Sequence, residues 1–451
     1  MTGKERIDNI LNHKETDRIP WIPFAGIHAG KLINAKPREI LTDADVLIKS
    51  LKEVKKVYSP DAMPIHFDLQ VEAEILGCEL LWSDHAPPSV RSHPLDGMDP
   101  VAFERKIPTK EDGRLPLFLK AMETIKKEDG DDIALLGLVC GPFTLASHLR
   151  GQNIFMDMML NPDYVIELLD YTKDVAIAVA DMYIEAGMDI VAVVDPLVSQ
   201  ISPAHFEQFL SKPFSEFFEH VHVKEKYASF FVCGNATNNV EKMCQTKPDM
   251  IAVDENVDMK KAKDVTDKYD VVLSGNIPLA TLMLNGTQQE NMIYTLSLID
   301  SLTKKNLIIS PGCDMPFDVP VENTVAVQQA IADPEKAREI VKNYEPKSYE
   351  GIEAVLPDYD SLKRPLIEVY TLDSESCAAC TYMLGAALDV KEEYGDKIDI
   401  VEYKMLDEKT VPMMMKMGVA NLPTMVINGK IEYISLIPPK AELFEKVNEL
   451  F

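Results

Sequence analysis

The chain has 451 residues, 46% of them hydrophobic, which is enough for two domains with hydrophobic cores. Its formal net charge of −27 disfavours binding to nucleic-acid phosphates or anionic lipid. No apolar run reaches the roughly 20 residues of a membrane helix, and the amino terminus lacks the features of a signal peptide. We therefore expect a cytoplasmic protein with neither a nucleic-acid nor a membrane partner. Seven cysteines, an odd number in a long chain, are more typical of metal binding or redox chemistry than of a secreted disulfide framework.

Short apolar runs rich in Val, Ile and Phe recur along the first three quarters of the chain and predict buried strands. Segments with apolar residues at helical spacing separate them. This alternation predicts an α/β fold with a parallel sheet covered by helices, and eight such units close a (β/α)8 TIM barrel. Residues 78–118 are rich in proline and charged residues and interrupt the alternation of strands and helices. We interpret this stretch as an insertion over the barrel mouth. The predicted strands are 18–24, 62–68, 133–140, 189–195, 227–233, 250–254, 270–276 and 306–313.

Two cysteines distant in sequence, Cys233 and Cys313, each end a predicted strand. In a barrel the carboxyl ends of the strands carry the chemistry, so the two thiols are expected to meet at the mouth. A pair of thiolates suits zinc, and the alternatives are two buried thiols or a redox pair. For each carboxylate nearby, the alternative to metal ligation is a helix cap or a buried hydrogen-bond acceptor. Further ligands can come from other strand ends, namely His66, Asp68, Asp195, Asp254 and Glu255.

The composition changes near residue 345, which predicts a barrel over 1–345, a linker over 346–364 and a second domain over 365–451. The second domain begins with a strand, and a Cys377-Ala-Ala-Cys380 motif leads into an apolar helix. A second strand, a short Met-rich helix, a Leu-Pro423-Thr segment before a third strand, and a final helix follow.

This second domain resembles the small thioredoxin and glutaredoxin-like fold over its whole length. The resemblance implies that Cys377, at a helix amino end that lowers its pKa, attacks a disulfide and that Cys380 resolves the mixed disulfide. It also implies a cis Pro423 beside the dithiol and a thiol-redox partner. The alternative is a fold kept only for docking.

The first domain carries four motifs that are specific in combination. They are Ile65-His-Phe-Asp68, Gly141-Pro-Phe-Thr-Leu-Ala146, Val272-Leu-Ser-Gly-Asn276 and Ser310-Pro-Gly-Cys313. With them, residues 1–340 resemble the uroporphyrinogen decarboxylase superfamily. That superfamily contains porphyrinogen decarboxylases and a branch of zinc-dependent methyltransferases. The methyltransferases move a methyl group from a methylcorrinoid protein to a thiol such as coenzyme M.

Sequence differences favour the methyltransferase branch. The decarboxylases supply arginines from an Arg-Gln-Ala-Gly-Arg segment, whereas residues 23–30 here contain no arginine. They also carry a His after the last strand, where this chain has Cys313. Asp68 does match the functional aspartate of the decarboxylases. The resemblance thus implies a methyltransferase in the one-carbon metabolism of anaerobes.

In the methyltransferases, zinc is held by a His-x-Cys after the fifth strand and a Cys after the eighth. Cys233 and Cys313 match the sulfur positions, but Phe231 replaces the histidine. A catalytic zinc needs three protein ligands, so His66, Asp195 or Glu255 would have to supply the third. The chain lacks the Asp-x-His-x-x-Gly signature of corrinoid binding. The methyl donor is therefore expected on a partner corrinoid protein, and the acceptor is a small thiol or related one-carbon acceptor.

Two other functions are alternatives to methyl transfer. Phe231 favours a barrel without zinc that binds a corrinoid protein or delivers electrons to it. A porphyrinogen-type decarboxylase would need arginines from elsewhere in the chain. If the chain is a methyltransferase, we expect the carboxyl-terminal dithiol to keep Cys233 and Cys313 reduced, to reduce a thiol acceptor or to dock another protein.

Overall fold

The structure is a computed structural model that describes residues 1–97, 103, 105–345, 354–372, 374, 378–405, 407, 409–419 and 421–451. The chain forms two compact units, Met1–Tyr344 and Glu345–Phe451. Among the described residues, no helix is both long and apolar enough to cross a membrane.

The first unit is built on a parallel sheet of seven strands, counted within the described residues, in the order β1-β4-β5-β6-β7-β8-β9. A separate antiparallel pair, β2 and β3, lies in the predicted insertion. The strands of this unit are β1 (Ala62–Pro64), β2 (Leu80–Leu81), β3 (Ser89–Val90), β4 (Ala134–Cys140), β5 (Ile190–Val194), β6 (Tyr227–Val232), β7 (Met250–Val253), β8 (Val272–Ile277) and β9 (Leu307–Pro311).

The first predicted strand, 18–24, is reduced to a single bridge at Trp21. The Ile22 N–H donates to the Ile309 carbonyl (3.1 Å), and the Trp21 carbonyl accepts from the Asp61 N–H (2.9 Å). This segment therefore links β9 to the chain just before β1. Prolines at positions 20 and 23 lack an N–H, which explains why no longer ladder forms. The result is a curled parallel sheet of the TIM-barrel-like type.

Alternate residues of the strands point to opposite faces of the sheet, and this divides the aromatic core. Phe231 on β6 packs inside the curled sheet, with its ring centroid 4.7 Å from that of Phe24 and 5.5 Å from that of Phe67. Its neighbour Phe230 faces the surrounding helices, and its ring centroid lies 4.2 Å from that of Phe214. Cys233 and Cys313 pack at the edge of the inner cluster.

Helices follow the strands and cover the sheet. The first helix starts with a capping box formed by Thr2 and Glu5. The helices are α1 (Gly3–Leu11), α2 (Pro37–Thr42), α3 (Ala44–Tyr58), α4 (Val71–Ile75), α5 (Leu115–Asp129), α6 (Pro142–Arg150), α7 (Asn153–Leu160), α8 (Pro162–Glu185), α9 (Pro203–His205), α10 (Ser211–Val223), α11 (Val240–Gln245), α12 (Met259–Thr266), α13 (Gln288–Ser301), α14 (Val321–Ala332) and α15 (Pro334–Val341). Shorter 3-10 or π turns are Gly26–Ile33, Pro196–Gln200, Phe206–Leu210, Thr237–Asn239, Asp267–Tyr269 and Leu279–Leu284.

The second unit has a mixed sheet in the order β11-β10-β12-β13. β10 is parallel to β11 and antiparallel to β12, and β12 is antiparallel to β13. Its elements are β10 (Leu366–Thr371), α16 (Ala378–Tyr394), β11 (Asp399–Lys404), α17 (Thr410–Met417), β12 (Thr424–Ile427), β13 (Lys430–Ile434) and α18 (Lys440–Asn448), with 3-10 turns at Tyr359–Ser361 and Gly395–Lys397.

Part of the predicted linker belongs to the second unit. The Tyr359 hydroxyl donates to the Glu368 carboxylate on β10 at 2.8 Å. Burial raises the pKa of this carboxyl group. The contact explains why residues near 359 pack against the sheet although their sequence has no clear period.

Candidate functional site

Cys233 and Cys313 are joined by a disulfide, with an S–S distance of 2.06 Å and a Cα–Cα distance of 5.7 Å. They follow β6 and β9, which have β7 and β8 between them in the sheet. Three strand spacings correspond to roughly 14 Å along a flat sheet, so the curl and the turns after the strands bring the cysteines together. Both side chains are half-buried. The two predicted sulfur positions therefore meet.

Two carboxylates flank this disulfide. The Asp254 carboxylate accepts a hydrogen bond from the backbone N–H of Gly234, the residue after Cys233, and burial raises its pKa. The Glu255 carboxylate lies against Gly312, the residue before Cys313. A Cβ placed on Gly312 would lie 2.4 Å from Glu255 Oε2, so only glycine allows this approach.

A third carboxylate, Asp314, follows Cys313 directly. It accepts hydrogen bonds from the backbone N–H groups of Ile27 and Met315, while desolvation raises its pKa well above the ordinary value. A Cβ on Gly26 would lie 1.9 Å from Asp314 Oδ1. The sulfur pair therefore lies in acidic surroundings that the sequence analysis recognised only in part.

Two of the proposed third zinc ligands have other roles in the structure. His66 Nε2 lies 3.1 Å from the Tyr183 hydroxyl, and its ring centroid lies 4.1 Å from that of Phe118. Burial lowers the pKa of His66 to about 4. His66 thus lies against α5 and α8, because it points to the side opposite the inward-facing Phe67.

Asp195 caps α6. Its carboxylate accepts from the Phe143 N–H at 2.9 Å, the Thr144 N–H at 3.1 Å and the Thr144 hydroxyl at 2.6 Å. Burial raises its pKa to about 7. This is the capping role that the sequence analysis held as the alternative to metal ligation.

The described residues contain no group of three or more His, Cys, Asp or Glu side chains that could hold a metal ion. Phe231 supplies no ligand atom, the two sulfurs are bonded to each other, and the nearby carboxylates contact backbone N–H groups. The donor set of this structure does not fit the three-ligand zinc site that the resemblance implies.

Asp68, the third predicted catalytic residue, forms a buried ion pair with Arg114. Its other oxygen accepts from the Gln70 N–H at 2.8 Å. Arg114 also donates from Nε to Glu74 at 2.7 Å, and its guanidinium lies 5.1 Å from the Trp82 ring centroid. Desolvation alone would lower the pKa of Arg114, but the carboxylates of Asp68 and Glu74 raise it above the ordinary value. Asp68 is therefore held by a charged partner.

Three polar atoms around this ion pair have no hydrogen-bond partner within the described residues: Glu72 Oε2, Arg114 Nη2 and His148 Nδ1. Glu72 accepts from the Cys140 N–H with its other oxygen, at 3.0 Å. Burial raises the pKa of Glu72 to about 7 and lowers that of His148 to about 4. We call Asp68, Glu72, Arg114 and His148 the Asp68 cluster; it contains both donor and acceptor atoms without a partner among the described residues.

The positions of Glu72 and Arg114 beside Asp68 could not be predicted from the sequence. Glu72 stands in an acidic helical segment, where a solvated position is the ordinary expectation, and Arg114 lies in the predicted insertion. No spacing in the sequence connects Arg114 to Asp68. The one sequence feature that hints at burial is that Glu72 and Arg114 each stand beside apolar residues of a short helical segment.

The predicted redox residues of the second unit are described only in part. Cys377 lies outside the described residues. Cys380 is buried in the first turn of α16, and the Leu422–Pro423 peptide bond is cis directly before β12. Within the first unit, Cys78, Cys140 and Cys244 are buried, and burial raises the pKa of all three thiols.

Comparison with known proteins assigns the family. The family model described as uroporphyrinogen decarboxylase (URO-D) matches residues 2–333. The chain belongs to the uroporphyrinogen decarboxylase family.

Two curated proteins that are similar in sequence to this chain are methyltransferases. The methylcobamide:CoM methyltransferase MtbA of Methanosarcina acetivorans is 27% identical over 349 residues, covering 76% of this chain and 98% of that protein. The methylcobamide:CoM methyltransferase MtaA of Methanosarcina barkeri is 26% identical over 344 residues, covering 73% and 97%. The alignments thus span nearly the whole of each relative and leave about a quarter of this chain unmatched.

A solved structure supports the fold of the first unit. A methyltransferase from Methanosarcina mazei superposes with a TM-score of 0.68 and 24% sequence identity, covering 74% of this chain and 98% of that one. At this identity the likeness concerns the fold alone.

Proposed function

We propose that the protein is a corrinoid-dependent methyltransferase that moves a methyl group from a methylcorrinoid protein to a thiol. The methyltransferase homologues support enzyme activity as a methyltransferase. The structural observation that supports the proposal is the half-buried Cys233–Cys313 pair, which lies beyond the carboxyl ends of β6 and β9. That end of the strands is where barrel enzymes carry their chemistry.

The reaction balances as a methyl transfer between cobalt and sulfur. The acceptor thiol loses its proton, a carbon–sulfur bond forms, and the cobalt–carbon bond breaks with both electrons left on cobalt. The products are a methyl thioether, cob(I)amide and a proton. Phe24, Phe67 and Phe231 are buried together and form an apolar floor against which Cys233 and Cys313 pack. The Asp68 cluster supplies polar groups that can orient the acceptor.

Zinc remains a prediction from the resemblance, because the donor set of this structure does not fit a three-ligand site. Metal analysis of the anaerobically purified, reduced chain tests this point. About one zinc per chain, lost in a Cys233→Ser/Cys313→Ser variant, would show that reduction rearranges the site to bind the metal.

The proposed activity is tested with the reduced full chain, methylcobalamin as donor and 2-mercaptoethanesulfonate as acceptor. We expect loss of the methylcobalamin absorbance together with an equal amount of methyl thioether, measured by mass spectrometry. Asp68→Asn and Cys233→Ser variants are expected to lose most of the rate, whereas the exposed Glu79→Gln variant keeps it. Formation of no thioether with several thiols would refute the proposal.

We further propose that the second unit is a thioredoxin-like dithiol domain that serves the barrel. Its strand order and the position of α16 after β10 support this proposal. A Cys377→Ser/Cys380→Ser variant tests it under mild oxidation. Methyl transfer that decays at the wild-type rate in this variant would contradict a protective role.

A second candidate function is a corrinoid-protein binding or redox-delivery module without methyl transfer. The disulfide and the core position of Phe231 favour this candidate. The bonded sulfurs are not thiolates, and the phenyl ring supplies no metal ligand. Binding of a corrinoid protein without thioether formation would support this candidate. Decarboxylation of a porphyrinogen is separately excluded if uroporphyrinogen loses no carboxylate on incubation with the chain.

A further inference from the structure

Cys233 and Cys313 differ from the other cysteines of the first unit in burial and in bonding. Cys78, Cys140 and Cys244 are buried single thiols, whereas Cys233 and Cys313 are half-buried and bonded to each other. A dissolved reductant can therefore reach this disulfide without unfolding of the barrel. Access to a sulfur atom is a requirement of thiol–disulfide exchange.

The Phe231 ring offers the sulfurs no ligand atom, and two nearby carboxylates accept from backbone N–H groups. Phe231, two residues before Cys233, directs its ring into the inner cluster against Phe24 and Phe67. Asp254 binds the Gly234 N–H, and Glu255 accepts from the Leu279 N–H at 3.4 Å. In this arrangement the partner of each sulfur is the other sulfur.

We propose that Cys233 and Cys313 are a reversible dithiol–disulfide site that a dithiol reductant opens, and that only the open state supports the proposed methyl transfer. This inference rests on the proposed function for its second half, and the disulfide chemistry stands without it. In the closed state neither sulfur is free to act as a nucleophile or ligand. In the open state both are thiols at the carboxyl ends of β6 and β9.

The exchange balances with a dithiol as the electron donor. A donor thiolate attacks one sulfur of the pair, a mixed disulfide forms, and the Cys233–Cys313 bond breaks to release the other cysteine as a thiolate, which takes a proton. The second donor sulfur then attacks the mixed disulfide and releases the second cysteine. The pair gains two electrons and two protons, and the donor becomes a disulfide.

The net charge of the chain favours a neutral donor. The whole chain carries a formal charge of −27, whereas burial raises the pKa of Asp254 and Asp314 beside the cysteines and so favours their neutral forms. Like charges disfavour the approach of an anionic thiol such as glutathione. We therefore expect dithiothreitol to open the pair at concentrations at which glutathione leaves it closed. The donor in the protein itself is either an external dithiol or the Cys377/Cys380 pair.

The test is differential alkylation of the full native chain. The chain is oxidised with diamide, treated with dithiothreitol or buffer, alkylated with iodoacetamide and digested for mass spectrometry. We expect alkylation of Cys233 and Cys313 only after dithiothreitol, while Cys78, Cys140 and Cys244 stay unmodified in both samples as internal controls. Alkylation of Cys233 and Cys313 without reductant would overturn the proposal. Protection that a chelator removes, but dithiothreitol does not, would also overturn it.

The same samples separate this inference from the proposed function. Methyl transfer from methylcobalamin is measured in the closed and open states, and loss of the rate in the closed state is expected. Equal rates in both states would overturn the control of activity and leave the proposed function intact. A reversible pair with no methyl transfer in either state would refute the proposed function and leave the disulfide site standing.

The donor is identified with a Cys377→Ser/Cys380→Ser variant. One equivalent of dithiothreitol is added, and the opening rate of Cys233–Cys313 is followed by quenched alkylation. A slower rate than in the wild-type chain supports relay through the carboxyl-terminal pair. An unchanged rate supports direct reduction by an external dithiol.

Discussion

The two sides of the barrel mouth hold their polar groups in different ways. The side formed by β6 and β9 holds two sulfurs in a covalent bond, half-buried and within reach of solutes. The Asp68 cluster, beyond β1 and β4, holds charges by burial and ion pairing and keeps three hydrogen-bonding atoms without a partner among the described residues. The first side is therefore expected to respond to redox conditions, and the second to pH and to loss of a charge.

The largest effect is expected from Arg114→Met in the Asp68 cluster. The variant leaves a buried carboxylate without its counter-charge, so the free energy of unfolding should fall by about 3–5 kcal/mol. Urea unfolding at neutral pH measures it. Arg38→Met is the matched control, because Arg38 is exposed and lies over the same Trp82 ring at 5.2 Å. Equal losses in the two variants would show that the ion pair with Asp68 does not stabilise the fold. Adding Asp68→Asn to Arg114→Met should recover part of the loss.

The disulfide side should respond to removal of its bond. Cys233 and Cys313 are 80 residues apart, and closing a loop of that length stabilises a fold by about 4.5 kcal/mol in the chain-entropy description, of which disulfides typically deliver about 2–4 kcal/mol. A Cys233→Ser/Cys313→Ser variant should therefore unfold at lower urea concentration than the oxidised wild-type chain. With dithiothreitol present the two proteins should unfold alike. A difference that persists under reduction would mean that the serines disturb packing instead.

Replacing Glu72 by Gln should remove a pH dependence. The pKa of Glu72 is raised to about 7 in the folded chain from an ordinary value of 4.5, so the folded state binds more protons between these values. Stability that burial of the neutral acid provides is therefore lost as pH rises from about 4 to 7, by at most about 3 kcal/mol. We expect Glu72→Gln to flatten this slope in unfolding curves measured from pH 4 to 8. The exposed Glu79→Gln variant should keep the wild-type slope, and a Glu72→Gln curve parallel to it would contradict the prediction.

The smallest effect on stability is expected from Phe231→His, which tests why the sulfur pair lacks a third ligand. A ring nitrogen without a partner in the inner cluster should cost about 1–2 kcal/mol. In the reduced chain the variant should bind about one zinc, measured by elemental mass spectrometry, because it restores a His-x-Cys. Phe231→Leu is the control that removes the aromatic ring without adding nitrogen. Equal zinc in both variants would show that position 231 does not decide metal binding.

The sequence predicted the strand ends better than the surroundings of the site. The period of apolar residues locates β4 to β9 within a few residues, because buried parallel strands need continuous apolar runs. The strand predicted over 18–24 shortens to a bridge at Trp21, since two prolines remove backbone donors. His66 and Asp195 were predicted as possible zinc ligands. Both instead satisfy local hydrogen bonds, which a linear sequence does not reveal.

The sequence by itself determined the alternation of strands and helices, the family motifs and the meeting of Cys233 with Cys313 beyond the strand ends. These follow from local periodicity and residue type. Only the tertiary structure decided the bond between the sulfurs, the partner of Asp68 and the burial of Glu72, because distances across the barrel and access to water depend on how the whole sheet curls. The same curl directs Phe231 into the core, so the position that the resemblance assigns to a metal ligand becomes part of an apolar floor.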